Sequence, residues 1–447
     1  NDLGVQVMAW GERYIIPEDA DVPATFQNRA LKIMNSGEYG EVPHNASLAP
    51  SQLTMECWIS ANDETGEQQI IDKRAPDGGY NLRITGNQFP LAVQVVVKDN
   101  NEAILHVPGI VQKRTWTHVA ATYDGQQIRL YVNGDFIASK AVSKNISNTT
   151  VPLRIGEYNG YPNGSFVFHG LIDDLRLWNV ARTETEIKAN LHSFLNGDIP
   201  DLIAYYKFDA FGTDEIIDSS TRNNNGQRKS TAVNVPSTAP IGDEAVNRAI
   251  HFEESGAYAD IAHEMQLSPK QITIECWIKK DVQSNGEHTI LDKRDGDSGY
   301  NLRLAGDSFP LTAFIVFKSN GQETIIGGPR IMPHTWTHLA ATYDGQSIKF
   351  YQDGKLTAQH DAAGLDISQS DATLRVGEFL GYPGGSFSFG GDIDELRIWN
   401  YARTEIEINR DMHRNLSALE AGLCGYWRFN EARGTTAFDK SQHENNA

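Results

Sequence analysis

The chain repeats itself. Thr115-Trp116-Thr117-His118-Val119-Ala120-Ala121-Thr122-Tyr123-Asp124-Gly125-Gln126 returns as Thr335-Trp336-Thr337-His338-Leu339-Ala340-Ala341-Thr342-Tyr343-Asp344-Gly345-Gln346, with only Val119 changed to Leu339. The offset is 336 − 116 = 220 residues. A period this long is a whole domain copied in tandem, not a solenoid repeat. The copying extends to Glu56-Cys57-Trp58-Ile59 and Glu275-Cys276-Trp277-Ile278, to Gly79-Tyr80-Asn81-Leu82-Arg83 and Gly299-Tyr300-Asn301-Leu302-Arg303, and to Ile172-Asp173-Asp174-Leu175-Arg176 and Ile393-Asp394-Glu395-Leu396-Arg397. The expected domains are residues 1–230 and 231–447, joined across a Ser/Thr/Pro/Gly-rich stretch near 227–245.

A unit of this size buries about 70% of its unfolded surface and needs no disulfides. Cys57 and Cys276 are twins in strands and Cys424 stands alone, so all three read as small core residues. The net charge of −19 argues against nucleic acid and anionic membrane and favours cations, calcium above all, although simple solubility explains it equally well. Hydrophobic runs are too short for a membrane span. The chain starts at Asn1 rather than Met, as a trimmed chain would, so the lack of a signal peptide is uninformative; sequons at Asn45, Asn145, Asn148, Asn163 and Asn415 matter only in a eukaryotic secreted protein.

The pattern is β throughout. Met55, Cys57 and Ile59 alternate with Glu56 and Trp58, and Ile128, Leu130 and Val132 with Arg129 and Tyr131, the period of strands packed on one face. Asn133-Gly134 and Asp353-Gly354 are hairpin signals. One short helix per unit follows Thr183-Glu184-Thr185-Glu186 and Thr404-Glu405-Ile406-Glu407, both capping boxes.

Taken together, Trp-x-His-Val/Leu-Ala-x-Thr-Tyr-Asp-Gly, Leu130-Tyr131-Val132-Asn133-Gly134 and Gly170-Leu171-Ile172-Asp173-Asp174-Leu175-Arg176-Leu177-Trp178-Asn179, with their second copies, resemble the laminin-G-like, concanavalin-A-like jelly roll in the branch shared with pentraxins. The resemblance implies two tandem all-β antiparallel sandwiches, each with one short helix. It does not specify a ligand, because the family holds lectins, adhesion modules, carbohydrate-binding modules and enzyme accessory domains. In that family the aromatic strand with its trailing Asp and Asn opens the domain. Here Ala204-Tyr205-Tyr206-Lys207-Phe208-Asp209 and Gly425-Tyr426-Trp427-Arg428-Phe429-Asn430 follow their copies. Residues 204–226 are therefore expected to close the first unit; the alternative is that they open the second.

Three constellations carry candidate chemistry. Asp173 and Asp394 sit where the family has an acidic residue at its last core strand, and Asp218 with Asn224 and Asp439 with Asn445 supply further hard oxygens, so a calcium site is expected from these residues. The competing reading has Asp173 and Asp394 capping turns or pairing with Arg176 and Arg397. Asp72 and Arg74, repeated as Asp292 and Arg294, suit a sugar or carboxylate surface, or else form cross-strand ion pairs. The loops at 158–166 and 379–387 keep Gly-Tyr-Pro and Gly-Ser-Phe, and put forward Tyr161, Asn163 and Tyr382 as ligand contacts; the alternative is packing on the sandwich edge.

Catalytic readings fare worse. The clustered carboxylates of jelly-roll glycosidases are approached only by Asp392, Asp394 and Glu395, and the twin of Asp392 is Leu171. His118 and His338 read as structural, and no serine elbow, zinc spacing or phosphate loop is visible. The expectation is a non-enzymatic, calcium-assisted binding protein, lectin-like or adhesive, with one site per unit. It would be secreted, face a glycan or cell-surface ligand, and leave nucleic acid and membrane interior alone, with its oligomeric state open. An enzyme acting on a polysaccharide or hydrophobic small molecule, and a protein-interaction scaffold, are the alternatives.

Overall fold

The computed structural model describes residues 28–447 apart from 65, 143–145, 147–148, 161–165, 211, 243–246, 254–255, 282–285, 307–309, 382–386 and 432–434, together with the backbone of 6–9 and 12–13. The chain divides into two compact units, Gln27–Ala245 and one built on Val246–Ala447. The first runs past residue 230 because Val233–Pro236, inside the polar join, pairs antiparallel with Arg29–Ile33. Pairing with a neighbouring strand overrides the linker-like composition.

Each unit is a two-sheet antiparallel sandwich. In the first, one sheet runs in the order Asp135–Ala141, Gln127–Val132, Thr117–Tyr123, Leu53–Ala61, Gly170–Trp178, Arg29–Ile33 and Val233–Pro236. The facing sheet runs Glu215–Ile216, Gly226–Lys229, Tyr39–Val42, Leu153–Ile155, Gly66–Asp72, Gly78–Gly86, Leu91–Asp99 and Asn101–Val111. The second unit repeats the first sheet's order from Lys355–Asp361 through Arg248–Phe252, and in its facing sheet, among the described residues, the six strands from Ala259–Ile261 through Gln322–Ile331, with no counterpart of Glu215–Ile216 and Gly226–Lys229. The backbone of Gln6–Ala9 pairs with Arg248–Phe252, in the slot that Val233–Pro236 takes in the first unit.

The aromatic strands close the copies they follow. Leu202–Tyr206 pairs with Gly170–Trp178, Tyr205 opposite Arg176, and Leu423–Trp427 pairs in the same register with Gly391–Trp399. The Asn-Gly and Asp-Gly hairpins form as read: Asn133 and Gly134 both take positive φ (50° and 85°), as a tight two-residue turn demands.

Alternation alone suggests strands packed on one face. Leu53, Met55, Cys57 and Ile59 do enter the inter-sheet core, yet Thr54, Glu56, Trp58 and Ser60 on the other face are buried as well. A third layer covers them. The helix Glu184–Asn190, held by a complete capping box between Thr183 and Glu186, lays Ile187 on Ala120 and Tyr131. Helix Glu405–Asp411 does the same with Ile408 on Ala340 and Tyr351.

Candidate functional site

Under that helical layer each unit buries a polar cluster. Glu56 accepts hydrogen bonds from Trp178 Nε1 (2.8 Å) and Arg182 Nη1 (3.1 Å), with Arg176 Nη1 at 3.9 Å and His118 Nε2 at 3.5 Å. Glu275 repeats it with Trp399, Arg403, Arg397 and His338. Arg176 also donates to the carbonyls of Asn190 (3.0 Å) and Ser193 (2.7 Å), tying the helix end to the sheet. Burial pushes His118 and His338 down to about 4, so both stay neutral near pH 7. The cluster is occluded and braces the layers; its sequence trace was Glu56 in the repeated Glu-Cys-Trp-Ile, which shows duplication without showing partners.

The expected calcium ligands fall into separate roles. Asp218 Oδ1 accepts Tyr205 N (2.9 Å) and Ser220 N (2.8 Å), while Oδ2 accepts Ser220 Oγ (2.9 Å) and Asn224 N (2.7 Å). Asp439 repeats all four bonds with Tyr426, Ser441 and Asn445. These carboxylates organise their own loop. Asn224 donates to Ile203 O (2.7 Å) and Asn445 to Cys424 O (2.9 Å), which docks the loop on its strand.

Asp173 is fully buried; its Oδ2 accepts from Ser237 Oγ (2.6 Å) and Asn28 (3.2 Å), and burial holds its carboxyl well above the usual range. Asp394 accepts from Asn247 (3.0 Å) and Glu395 N (2.7 Å) and is raised in the same way. Arg176 pairs with the next residue, Asp174, and Arg397 with Glu395. Asp174 and Glu395 sit at a β-bulge with φ of 51°, which turns their side chains to the helix-covered face.

Asp72 and Arg74 are buried and grip one another. Arg74 Nη2 meets Asp72 Oδ2 at 2.9 Å, its backbone N donates to Oδ1 at 2.8 Å, and its Nη1 reaches Glu102 at 3.1 Å. Arg294 makes the equivalent pair with Asp292 (2.8 Å) and Glu323 (2.8 Å). The far face of each guanidinium lies over a loop aromatic, Arg74 4.9 Å from the Tyr158 ring and Arg294 5.1 Å from Phe379. Asn159 Nδ2 donates to Asp72 O and Pro152 O, both at 2.8 Å. The pairs therefore support the loop from below rather than facing solvent themselves, because their hydrogen-bonding capacity is spent on one another.

Tyr161, Asn163 and Tyr382 lie outside the described residues, but the flanks of their loops are visible and match. Tyr158 meets Phe166 edge-on (5.8 Å, 75°), and Phe379 meets Phe387 (5.8 Å, 86°). Phe166 and Phe387 are 42% and 37% exposed and both hold positive φ, 59° and 64°. A bulky residue in the left-handed region costs about 1–2 kcal/mol. Both copies carry that cost at the same exposed ring, and the following strand entry is fixed by Gln69 N to Phe166 O (2.9 Å) and Thr289 N to Phe387 O (2.8 Å).

Among the described residues, two features distinguish the second unit. His251 Nδ1 lies 2.7 Å from Asp392 Oδ1 and its Nε2 3.5 Å from Asp281, while Lys279 Nζ meets Asp392 Oδ2 at 2.5 Å and lies over the Trp336 ring. The first unit has Lys32, Leu171, Asn62 and Ser60 there. The hydrogen bond to Asp392 raises the His251 pKa; burial alone pushes Asp392 up, but His251 and Lys279 outweigh it and hold it low. With Lys279 on the second carboxylate oxygen, the group is an ion-pair network. The other feature is a cleft of about 180 Å³ at the sandwich edge, floored by Ile250, Ala259, Phe429 and Ala437 and rimmed by Tyr258, Asp260 and Glu431.

The family model of the concanavalin A-like lectin/glucanases superfamily matches residues 35–188 and 253–409. Pappalysin-1 of mouse is 24% identical over 193 residues, and human pappalysin-1 is 24% identical over 190; each match takes in 37% of this chain and only 11% of the relative's length. Among solved structures, a putative carbohydrate binding protein from Bacteroides ovatus is 25% identical with a TM-score of 0.40, covering 48% of this chain and 62% of that one. Domains LG4-5 of the mouse laminin α1 chain are 12% identical with a TM-score of 0.34, covering 85% and 91%. The CBM40 of a Ruminococcus gnavus sialidase is 20% identical with a TM-score of 0.32, covering 37% and 97%.

Proposed function

Because the chain belongs to the concanavalin A-like lectin/glucanases superfamily, matched in both of its copies, we propose that it is a binding protein without catalytic turnover, working outside the cell, that grips glycan once per unit at the surface carrying Phe166 in the first and Phe387 in the second. The observation that carries this reading is the pair Phe166 and Phe387. Each is a large, partly exposed ring, set by a strained backbone and by an edge-on aromatic neighbour, which itself stacks on a guanidinium paired with its own carboxylate. A rigid exposed ring offers a sugar an apolar face to stack on, at little cost in side-chain entropy. Strain retained at twin positions points the same way. Two weak sites on one chain gain through effective concentration, which gives the duplication a physical use.

The test is a glycan array run with the unaltered chain, with Phe166→Ala, with Phe387→Ala and with both. Each single variant is expected to weaken binding on the order of tenfold and the double to abolish it, with melting nearly unchanged. A double variant that binds as the unaltered chain does would overturn the reading. Calcium forms the second arm. The carboxylates of Asp218 and Asp439 are filled by four donors each, so millimolar EDTA is expected to leave binding and melting unchanged. Loss of binding under EDTA would put an ion into the site.

A further inference from the structure

A row of side chains crosses three neighbouring strands of the second unit. His251 on Arg248–Phe252 stands opposite Asp392 on Gly391–Trp399, and Asp392 stands opposite Lys279 on Ile272–Lys280. Lys279 takes one oxygen of Asp392 (2.5 Å) and lies over the Trp336 ring; the other oxygen takes His251 Nδ1 (2.7 Å). A carboxylate only accepts, so the proton of that bond sits on Nδ1. The imidazole, 6% exposed, is thereby held with Nε2 turned toward Asp281 and Glu253.

Nε2 makes no hydrogen bond among the described residues. Asp281 Oδ2 lies 3.5 Å from it and Glu253 Oε1 4.0 Å, both longer than the roughly 2.7–3.2 Å of an N–H···O bond. The spacing fits an ion instead. In a tetrahedral zinc site, bonds of about 2.0–2.2 Å hold neighbouring ligand atoms roughly 3.4 Å apart. Asp281 already stands at that separation. Glu253, at a strand end and 55% exposed, closes the remaining gap by rotating its side chain.

The first unit is an internal control. It has Lys32, Met34, Asn62, Leu171 and Ser60 where the second has His251, Glu253, Asp281, Asp392 and Lys279. These positions lie on three strands and their ends, and they differ together. Only the second set offers an imidazole, two carboxylates facing its outer nitrogen, and a third carboxylate to orient it.

We propose that His251 Nε2, Asp281 and Glu253 form a zinc site in the second unit, with Asp392 orienting the imidazole and Lys279 fixing Asp392. One imidazole with two carboxylates suits a first-row divalent ion; calcium asks for about six to eight oxygens, more than this set supplies. A carboxylate behind the ligating histidine is the usual outer-shell support. The ion would tie the end of Arg248–Phe252 to the end of Ile272–Lys280, two strands separated in the sheet by Gly391–Trp399. Two of the three ligands are partly exposed, so the affinity is expected to be on the order of micromolar, and a chain prepared without added zinc to carry none.

The test is calorimetric titration of the full, tag-free chain with zinc chloride near pH 7.5, with no glycan present. One zinc per chain is expected, and cobalt(II) is expected to give the visible absorption of a four-coordinate ion at the same stoichiometry. His251→Gln is expected to abolish this binding and Asp281→Asn to weaken it on the order of a hundredfold. Asp392→Asn, which touches no ion, is expected to weaken it about tenfold. No saturable zinc binding by the unaltered chain, or binding that either His251→Gln or Asp281→Asn leaves unchanged, would overturn the proposal. If His251→Gln fails to fold, Asp281→Asn, at a side chain 32% exposed, decides.

Discussion

The two units are one design filled in two ways. Their frame is common: the same order of core strands, the same glutamate under the same helix, and an acid at the same bulge holding the same arginine. Their fillings differ at single positions, most of them buried: the first unit has Asp209, Leu171, Lys32 and Ile216; the second has Asn430, Asp392, His251 and Ala437. Most groups that join layers have kept their partners, because losing one strands a buried charge. Where a buried group has changed, its neighbours have changed with it, as His251, Lys279 and Asp392 stand for Lys32, Ser60 and Leu171.

The hardest blow to this comparison is at the shared frame. Glu56→Ala takes from the buried Arg182 its carboxylate and is expected to cost about 3–5 kcal/mol. Glu275→Ala leaves Arg403 paired with Asp411, where the first unit has Asn190, and is expected to cost less; calorimetry that finds the larger loss for Glu275→Ala would contradict this.

A smaller effect tests the fillings. Asp209 accepts the backbone N–H of Arg29 (3.0 Å), and Asn430 accepts that of Arg248 (2.8 Å), so an amide does the same work in the second unit. Burial lifts Asp209 from 3.8 to about 7. A carboxyl raised on folding contributes stability that is complete below pH 3.8 and is lost as pH climbs to 7. Asp209→Asn is therefore expected to stabilise by roughly 2 kcal/mol at pH 8, allowing for the partial exposure of the group, and by little at pH 4. Melting curves at the two pH values read the difference, and equal gains at both would reject the assignment.

The second unit has its own window. His251 is raised by Asp392, so its contribution is full below pH 6.5 and fades as pH rises through its folded value. Asp392 is lowered, so its contribution is present above pH 3.8 and fails as pH falls through its folded value. His251→Gln should cost about 1–2 kcal/mol near pH 5.5 and less at pH 9. A loss independent of pH would mean that packing, not charge, is what His251 supplies.

The smallest expected effect lies at the rim. Phe166→Gly and Phe387→Gly trade a strained φ for a permissive one, so despite glycine's entropy they are expected to change stability by under about 1 kcal/mol while losing the exposed ring.

Much of the frame was legible because it was written twice. The Trp-x-His strands, the Asn-Gly and Asp-Gly turns and the capping boxes each carry a local geometric demand, and they formed where read. The chain order around Tyr205 was readable too, since a strand can fill its slot from either end of a copy. What was not legible depends on partners distant in sequence. Alternation around Cys57 showed one buried face, but not the helix that buries the other. Asp218 and Asn224 have the chemistry of calcium ligands, yet the backbone N–H groups of Tyr205, Ser220 and Asn224 that donate to Asp218, and the Ile203 carbonyl that Asn224 donates to, cannot be seen in a string of residues. Asp72 and Arg74 look like a sugar-facing pair until their spacing across two residues folds them onto each other.

The central claim is that each unit grips glycan at its own exposed phenylalanine. Calorimetric titration with the best array ligand measures it directly, through the number of sites per chain. The account predicts two sites in the unaltered chain, one in either Phe166→Ala or Phe387→Ala, and none in the double variant. A single site that survives both substitutions would contradict it.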